Sequence, residues 1–194
     1  MIAGLYDIFA HWHKTGTVWL ISDTHFDDEE LAAGVSNRPS TEEYIKLINS
    51  KVGKRDTVIH LGDVGNLEAM KKIKGYKILI MGNHDSGKSN YLEVFNEVYQ
   101  GPLIIGEKLI LSHEPVDITG MFNLHGHTHA ATHKNDNTHF NCCSDYIGYI
   151  PINFNQWMKQ GYLSKVQTLH RKVIDKASLN KHGQKWLKKK EIIF

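Results

Sequence analysis

A chain of 194 residues is long enough to bury a core without disulfides or a structural metal, and its length predicts one domain. Its composition, 41% hydrophobic and 23% charged, is that of a soluble globular protein. No apolar run approaches the roughly 20 residues that a membrane helix needs, which excludes a helical span. The net charge of +2 hides an asymmetry: residues 159–194 carry ten Lys/Arg and two Asp/Glu, a net of +8, against 13 and 19, a net of −6, elsewhere. This basic segment reads as a solvated helix with a frayed end; binding to nucleic acid or an anionic surface is the alternative.

In chain order, residues 1–14 lack the basic start and long apolar centre of a signal peptide. Thr17 to Ser22 is a β-rich apolar run and predicts a buried strand. Ser40-Thr41-Glu42-Glu43 fits a capping box, followed by Tyr44, Leu47, Ile48 and Val52 at helical spacing. Thr57 to Leu61 predicts a second strand. Asn66 caps a short helix over Leu67 to Ile73, and Tyr76 to Met81 predicts a third strand. A helix is expected from Asn90 to Asn96. Up to this point strand and helix alternate, which argues for a parallel sheet.

The second half changes character. Leu103 to Gly106 and Lys108 to Ser112 predict strands around a tight Gly106-Glu107 turn. Met121 to Leu124 and Thr138 to Cys143 predict two more without intervening helices, a pattern that favours antiparallel pairing. Ile150-Pro151-Ile152 reads as an extended closing segment, and helical patterning returns from Asn155 to Lys176. The whole, 1–194, reads as a single domain with a core at 17–152 and a helical, basic appendage at 153–194. Cys142 and Cys143 are adjacent and read as reduced thiols of a cytoplasmic protein.

Five segments place carboxylate, imidazole and amide groups at the ends of predicted strands. They are Asp23-Thr24-His25, Gly62-Asp63, Gly82-Asn83-His84-Asp85, His113 and Gly126-His127-Thr128-His129. Donors of this kind suit divalent transition metals. They are too many for one ion with an open position and enough for two. Asp23 and His25, at i and i+2 in extended chain, project to the same side. His127 and His129 repeat that spacing. Asp63 has two oxygens and can bridge two ions, while Asn83 offers a neutral ligand. Placement after the carboxyl ends of strands is the usual position for ligands of open α/β sheets.

These motifs resemble the signature of the calcineurin-like metallophosphoesterases: Asp-x-His, Gly-Asp, Gly-Asn-His-Asp/Glu, a lone His, then Gly-His-x-His. The likeness to a small bacterial and phage-type branch also covers Ile21 to Phe26, His60 to Asp63, Leu111 to Pro115 and Asp145 to Ile152. The resemblance implies an α/β fold, two packed mixed β-sheets flanked by helices. It implies one metal held by Asp23, His25, Asp63 and His129, and a second held by Asp63, Asn83, His113 and His127. His84 would face the phosphate and leaving group, with Asp85 supporting it as the other catalytic residue. The implied reaction is hydrolysis of phosphodiester or phosphomonoester bonds by a metal-bridging hydroxide. The cofactors would be two divalent ions drawn from Mn, Fe, Zn and Ni, with Mn the working choice. The branch continues its first motif with Gly-His, whereas Asp27-Asp28-Glu29-Glu30 stands here. That acidic loop would repel polyanions, recruit a further cation, or open a helix favoured by its dipole.

The expected partner is a small phosphate ester, nucleotides included, with no membrane. A nuclease acting on DNA or RNA and a non-catalytic scaffold are the competing functions. His60 and His125 read as structural. His133, His139, His170 and His182 read as exposed, and His11-Trp12-His13 as ordinary surface. Tyr146, Tyr149 and Asn123 are candidate rim contacts, and Arg38 a candidate phosphate contact.

Overall fold

The computed structural model describes residues 4–129 and 136–167. Its frame is a pair of sheets. Strands β1 (Val18–Ile21), β2 (Thr57–His60), β3 (Tyr76–Ile80) and β4 (Glu97–Tyr99) run parallel, with β9 (Ile152–Asn153) antiparallel against β1. The second sheet orders β5 (Leu103–Gly106), β6 (Leu109–Leu111), β7 (Phe122–His125) and β8 (His139–Asn141) side by side.

Strand alternation divides the apolar residues between two cores. Leu20, Ile59, Ile78 and Ile80 of the first sheet share one cluster with Ile105, Leu109, Leu111, Phe122 and Leu124 of the second. Their neighbours in sequence, Ile21, Val58 and Leu79, face the other way. There they meet Tyr44, Ile45 and Ile48 of a helix over Thr41–Lys51, and Met70 of one over Leu67–Lys71. The helix starts are those read from the sequence. Ser40 and Glu43 form a full capping box, and the Asn66 side chain accepts from the Glu68 amide. In chain order the helices are α1 (Glu29–Gly34), α2 (Thr41–Lys51), α3 (Leu67–Lys71), α4 (Lys88–Tyr91), α5 (Ser144–Ile147) and α6 (Phe154–Lys159). α1 opens in the acidic loop, with Asp28 as its N-cap.

Four expectations need correction. The later strands are not all antiparallel: only β5 and β6 are, while β6–β7 and β7–β8 pair in parallel. Residues 112–121 connect β6 to β7 as a loop, so that parallel crossover is made without a helix. The helix expected at Asn90 to Asn96 is the single turn α4, because the chain must leave it to form the short edge strand β4. Residues 153–166 are no appendage to the packing, since Phe154, Trp157 and Val166 lie in the inter-sheet core. Trp12 is not surface: it is fully buried in a 3-10 segment over Asp7–His13, its indole N–H donated to Glu97 of β4.

The basic segment and the expected helix lie outside the described residues from position 168, as do His133, His170 and His182. Cys142 and Cys143 are buried free thiols. Among the described residues no helix is long and apolar enough to cross a membrane.

Candidate metal centre

Because β1, β2, β3, β6 and β7 leave their sheets at the same end, the loops that follow them meet there. Short bridges tie the two sheets together at this end: the Ser22 amide donates to the Cys142 carbonyl at 3.1 Å, and the Ser144 amide to the Ser22 carbonyl at 3.0 Å. The seven metal-ligand candidates all reach this junction, in two groups.

The tighter group is Asp63, Asn83, His113 and His127. His113 Nε2 lies 2.8 Å from Asn83 Oδ1, 3.1 Å from His127 Nδ1 and 3.2 Å from Asp63 Oδ2, and His127 Nδ1 is 3.0 Å from Asn83 Oδ1. Donors bound to one cation at about 2.1 Å stand about 3.0 Å apart at right angles and about 3.4 Å apart at tetrahedral angles. These spacings fit that geometry. The second group is Asp23, His25 and His129, with His129 Nε2 3.5 Å from Asp23 Oδ1. Asp63 Oδ2 is also 3.5 Å from His25 Nε2, so this one oxygen borders both groups. His127 and His129, two residues apart, thus diverge into different groups.

The far side of each imidazole fixes which nitrogen faces inward. His113 donates Nδ1–H to the Leu61 carbonyl at 2.8 Å. His25 turns Nδ1 to Asp28 at 3.3 Å, which leaves Nε2 buried with no hydrogen-bond partner among the described residues. A buried nitrogen lone pair with no donor is costly unless a cation takes it. His129 gives Nδ1–H to Asp145 at 2.6 Å, and Asp145 is paired to Arg38. The donors therefore fit two divalent cations.

Electrostatics agree. Burial pushes the Asp23 carboxyl above its usual range even though the Ser22 hydroxyl and the His127 amide face it. Burial works the same way on Asp63, but contacts from His113, His25 and the His84 amide outweigh it and hold that carboxyl well below the usual range. Asp145 raises the His129 imidazole. Burial lowers His113, yet the Asp63 and Asp23 carboxylates lift it above its ordinary value. Positive charge is favoured at these nitrogens.

The backbone is strained here. Asp23, His25, Asp63 and His127 have φ of +56°, +38°, +58° and +66°, a region that residues with a Cβ seldom occupy. Asp23 and His25 accordingly converge through left-handed turns and not through the extended i, i+2 geometry the spacing suggests. Two motif glycines are fixed by contact. A Cβ on Gly82 would lie 2.2 Å from Asp63 Oδ1, and one on Gly126 would lie 1.9 Å from Ser22 Oγ.

His84 is exposed, its ring 5.4 Å from that of His25 and its amide donating to Asp63 Oδ1 at 3.0 Å. Asp85 turns away from it. Its carboxylate accepts from the amides of Asp63 at 2.8 Å, Val64 at 3.1 Å and Gly82 at 2.9 Å, and from the Tyr91 hydroxyl at 3.0 Å. Arg38 is engaged through its terminal nitrogens by Asp145 and by the Asp23 and Thr24 carbonyls, and its side chain is largely buried. Asn123 is no rim contact: it is buried and bonded to Ser112 and the Val116 amide. Tyr149 packs on Tyr44, with Arg38 over its ring at 5.9 Å. His60 is structural as expected, held between Thr24 Oγ1 and the Gly62 amide. His139 is half-buried and paired with Asp136, not exposed. The supports Asp28 and Asp145 escaped the motif reading of the sequence, because nothing local marks them as partners of an imidazole.

A sequence profile of the calcineurin-like phosphoesterases matches residues 16–192. None of the proteins of curated function matches the chain. Among solved structures, a protein of unknown function from Aquifex aeolicus is 27% identical with a TM-score of 0.62, over 74% of this chain and 98% of that one. The nuclease MPE of Pseudomonas putida is 22% identical with a TM-score of 0.44, over 58% and 61%. The phosphoesterase Yfce of E. coli is 17% identical with a TM-score of 0.39, over 70% and 81%. With the profile spanning nearly the whole chain and its two mixed sheets flanked by helices, this protein belongs to the calcineurin-like phosphoesterase family.

Proposed function

We propose that the protein is a two-metal hydrolase of phosphodiester or phosphomonoester bonds, with manganese as the working choice of metal. The observation that carries this is Asp63 Oδ2, within 3.2 Å of His113 Nε2 and 3.5 Å of His25 Nε2. Asp23, His25, Asp63 and His129 would hold one cation, and Asp63, Asn83, His113 and His127 the other. When bound, such a pair supplies Lewis-acid polarisation of a phosphoryl oxygen and acidifies water.

The chain's own residues do the rest. The His127 amide holds the Asp23 carboxylate at 2.9 Å, and the His84 amide holds Asp63, so both carboxylates keep their orientation. The amide of Asn83 adds a donor without a third charge. His84 presents an exposed imidazole beside the His25 ring, where it would donate a proton to the departing oxygen as general acid. The buried free thiols Cys142 and Cys143 support a reducing, cytoplasmic setting.

The test is a metal-supplemented screen of p-nitrophenyl phosphate, bis-p-nitrophenyl phosphate, cyclic nucleotides and single-stranded oligonucleotides. His84→Ala should keep its metal and lose roughly 10²–10⁴-fold in turnover. Asp63→Ala should lose metal as well. Full metal-dependent turnover in both variants would refute the assignment.

A further inference from the structure

We propose that the cavity beside Asn83 and His113 receives the organic group of an ester carrying a single phosphate, and that Glu114 selects neutral or cationic groups over anionic ones. This rests on the phosphoesterase reading and adds to it a class of substrate.

The cavity has a volume of about 270 Å³. Met81, Pro102 and Val116 give it apolar walls, and Asn83 and His113 stand on its lining. It therefore opens directly onto the tighter group of donors, Asp63, Asn83, His113 and His127. Its size falls just under the roughly 300–1,000 Å³ of sites for drug-sized ligands, which suits one ring better than an extended chain.

The polar groups of the lining have separate fates. Ser112 Oγ donates to the Glu114 carbonyl at 2.6 Å and accepts from Asn123 at 2.8 Å, so it is committed. The Glu114 side chain is exposed, and its carboxylate has no partner among the described residues. A group entering here meets apolar walls and one free negative charge.

The cavity beside His25, of the other group of donors, has the same sign. Of about 100 Å³, it is lined by His25, Asp27, Asp28 and Glu29, with Arg38 as its one cation. Arg38 is already bound to Asp145 and two carbonyls. Among the described residues that line the two cavities, none is a lysine, and the one arginine, Arg38, is already engaged. A strand of nucleic acid crossing the centre would place phosphates against the carboxylates of both cavities, a repulsion that low salt strengthens. An ester with one phosphate escapes it.

Phosphonates, which are not hydrolysed, separate binding from turnover. Affinities for methyl-, phenyl-, 4-carboxyphenyl- and 4-(trimethylammonio)phenylphosphonate would be measured by calorimetry on the manganese-loaded full chain at low salt. Phenylphosphonate should bind about tenfold more tightly than methylphosphonate, since burial of the ring is partly offset by its ordering. The trimethylammonio compound should exceed the carboxy compound by a similar factor. Val116→Trp, checked for folding by its melting curve, should erase the aryl advantage, and Glu114→Lys should reverse the order of the two charged compounds. Equal binding of methyl and phenyl compounds overturns the proposal, as does an unchanged charge order in Glu114→Lys. A single-stranded 12-mer that outcompetes phenylphosphonate would overturn it too. If methylphosphonate shows no manganese-dependent binding, the phosphoesterase reading fails and the proposal falls with it; if it binds without an aryl advantage, only the proposal falls.

Discussion

Asp85 offers the sharpest test of how the centre is built. Its carboxylate joins the turn after β2 to the turn after β3 through three amides, those of Asp63, Val64 and Gly82, and takes a fourth bond from Tyr91. Burial and the Asp85 carboxylate push the Tyr91 hydroxyl up to about 12, so it stays a donor at neutral pH. In Asp85→Ala all four donors lose their acceptor. A buried group left unpaired costs about 1–3 kcal/mol, and water entering the vacated space recovers part of the sum, for a net loss of about 3–4 kcal/mol. Asp85→Asn should be milder. If its amide oxygen takes the Asp63 and Gly82 amides, its NH₂ meets the Tyr91 oxygen, which can accept, and only the Val64 amide is stranded. The expected loss is about 1–2 kcal/mol. For a chain of this length 1 kcal/mol moves the melting point by about 2–4 °C, so Asp85→Ala should melt roughly 10 °C lower. Urea unfolding of metal-free protein, with both variants compared to the parent, reads these values directly. Had Asp85 served mainly to orient the His84 ring, turnover would fall while stability stayed within about 0.5 kcal/mol of the parent; that pattern would refute the bracing role.

Three further outcomes follow from the same geometry. Gly126→Ala drives a Cβ to 1.9 Å from Ser22 Oγ and 2.5 Å from Asp23 Oδ2. It should destabilise by about 1–3 kcal/mol and weaken metal retention while far-UV circular dichroism is preserved. Manganese at about 100 times its dissociation constant should raise stability by about 2.7 kcal/mol in thermal melts against a chelated control, and Asp63→Ala should abolish that rise. Asp56 accepts from the Thr17 amide at 2.9 Å, the Gly53 amide at 2.8 Å and the Trp19 indole at 3.1 Å. Burial would raise its carboxyl, but these bonds prevail and lower it. A group lowered by folding stabilises above its unfolded value, about 3.9, and that contribution is lost as pH falls through the folded value. Asp56→Asn should therefore flatten the acid limb of a stability profile taken from pH 6 to pH 2.

The first half of the fold was legible because its signals are local. Ser40 and Glu43, and Asn66 with Glu68, mark helix starts within four residues, and the runs that become β1, β2 and β3 are continuous and bounded. In the second half the four strands and the antiparallel β5–β6 pair are legible too, and only the pairing of β6, β7 and β8 is not: strands without helices between them point to antiparallel neighbours, yet these run parallel. The candidate donors themselves argue for the parallel arrangement. His113 follows β6 and His127 follows β7, and their nitrogens can stand 3.1 Å apart only if both strands end on the same side. Antiparallel pairing would have put them at opposite ends of the sheet. Trp12 was misplaced for another reason, since its partner Glu97 lies 85 residues away and no pattern around Trp12 announces burial.

At the site, residue types were legible and backbone shape was not. Asp-x-His suggests extended chain, yet Asp23 and His25 are left-handed, as are Asp63 and His127. Each such residue costs of order 1–3 kcal/mol and persists only where its surroundings over-determine it. Here the surroundings are the other motif loops. The Asp23 amide donates to Gly62 and the His25 amide to Asp63, the His127 amide grips Asp23, and the His84 amide grips Asp63. Every loop that offers a donor atom is therefore also a hydrogen-bonding partner of another such loop. The spacing of the donors is set by peptide groups that come from separate strands, so a glycine or carboxylate altered in one loop should be felt as misplacement of ligands in its neighbour, which a reading of isolated motifs has no means to anticipate.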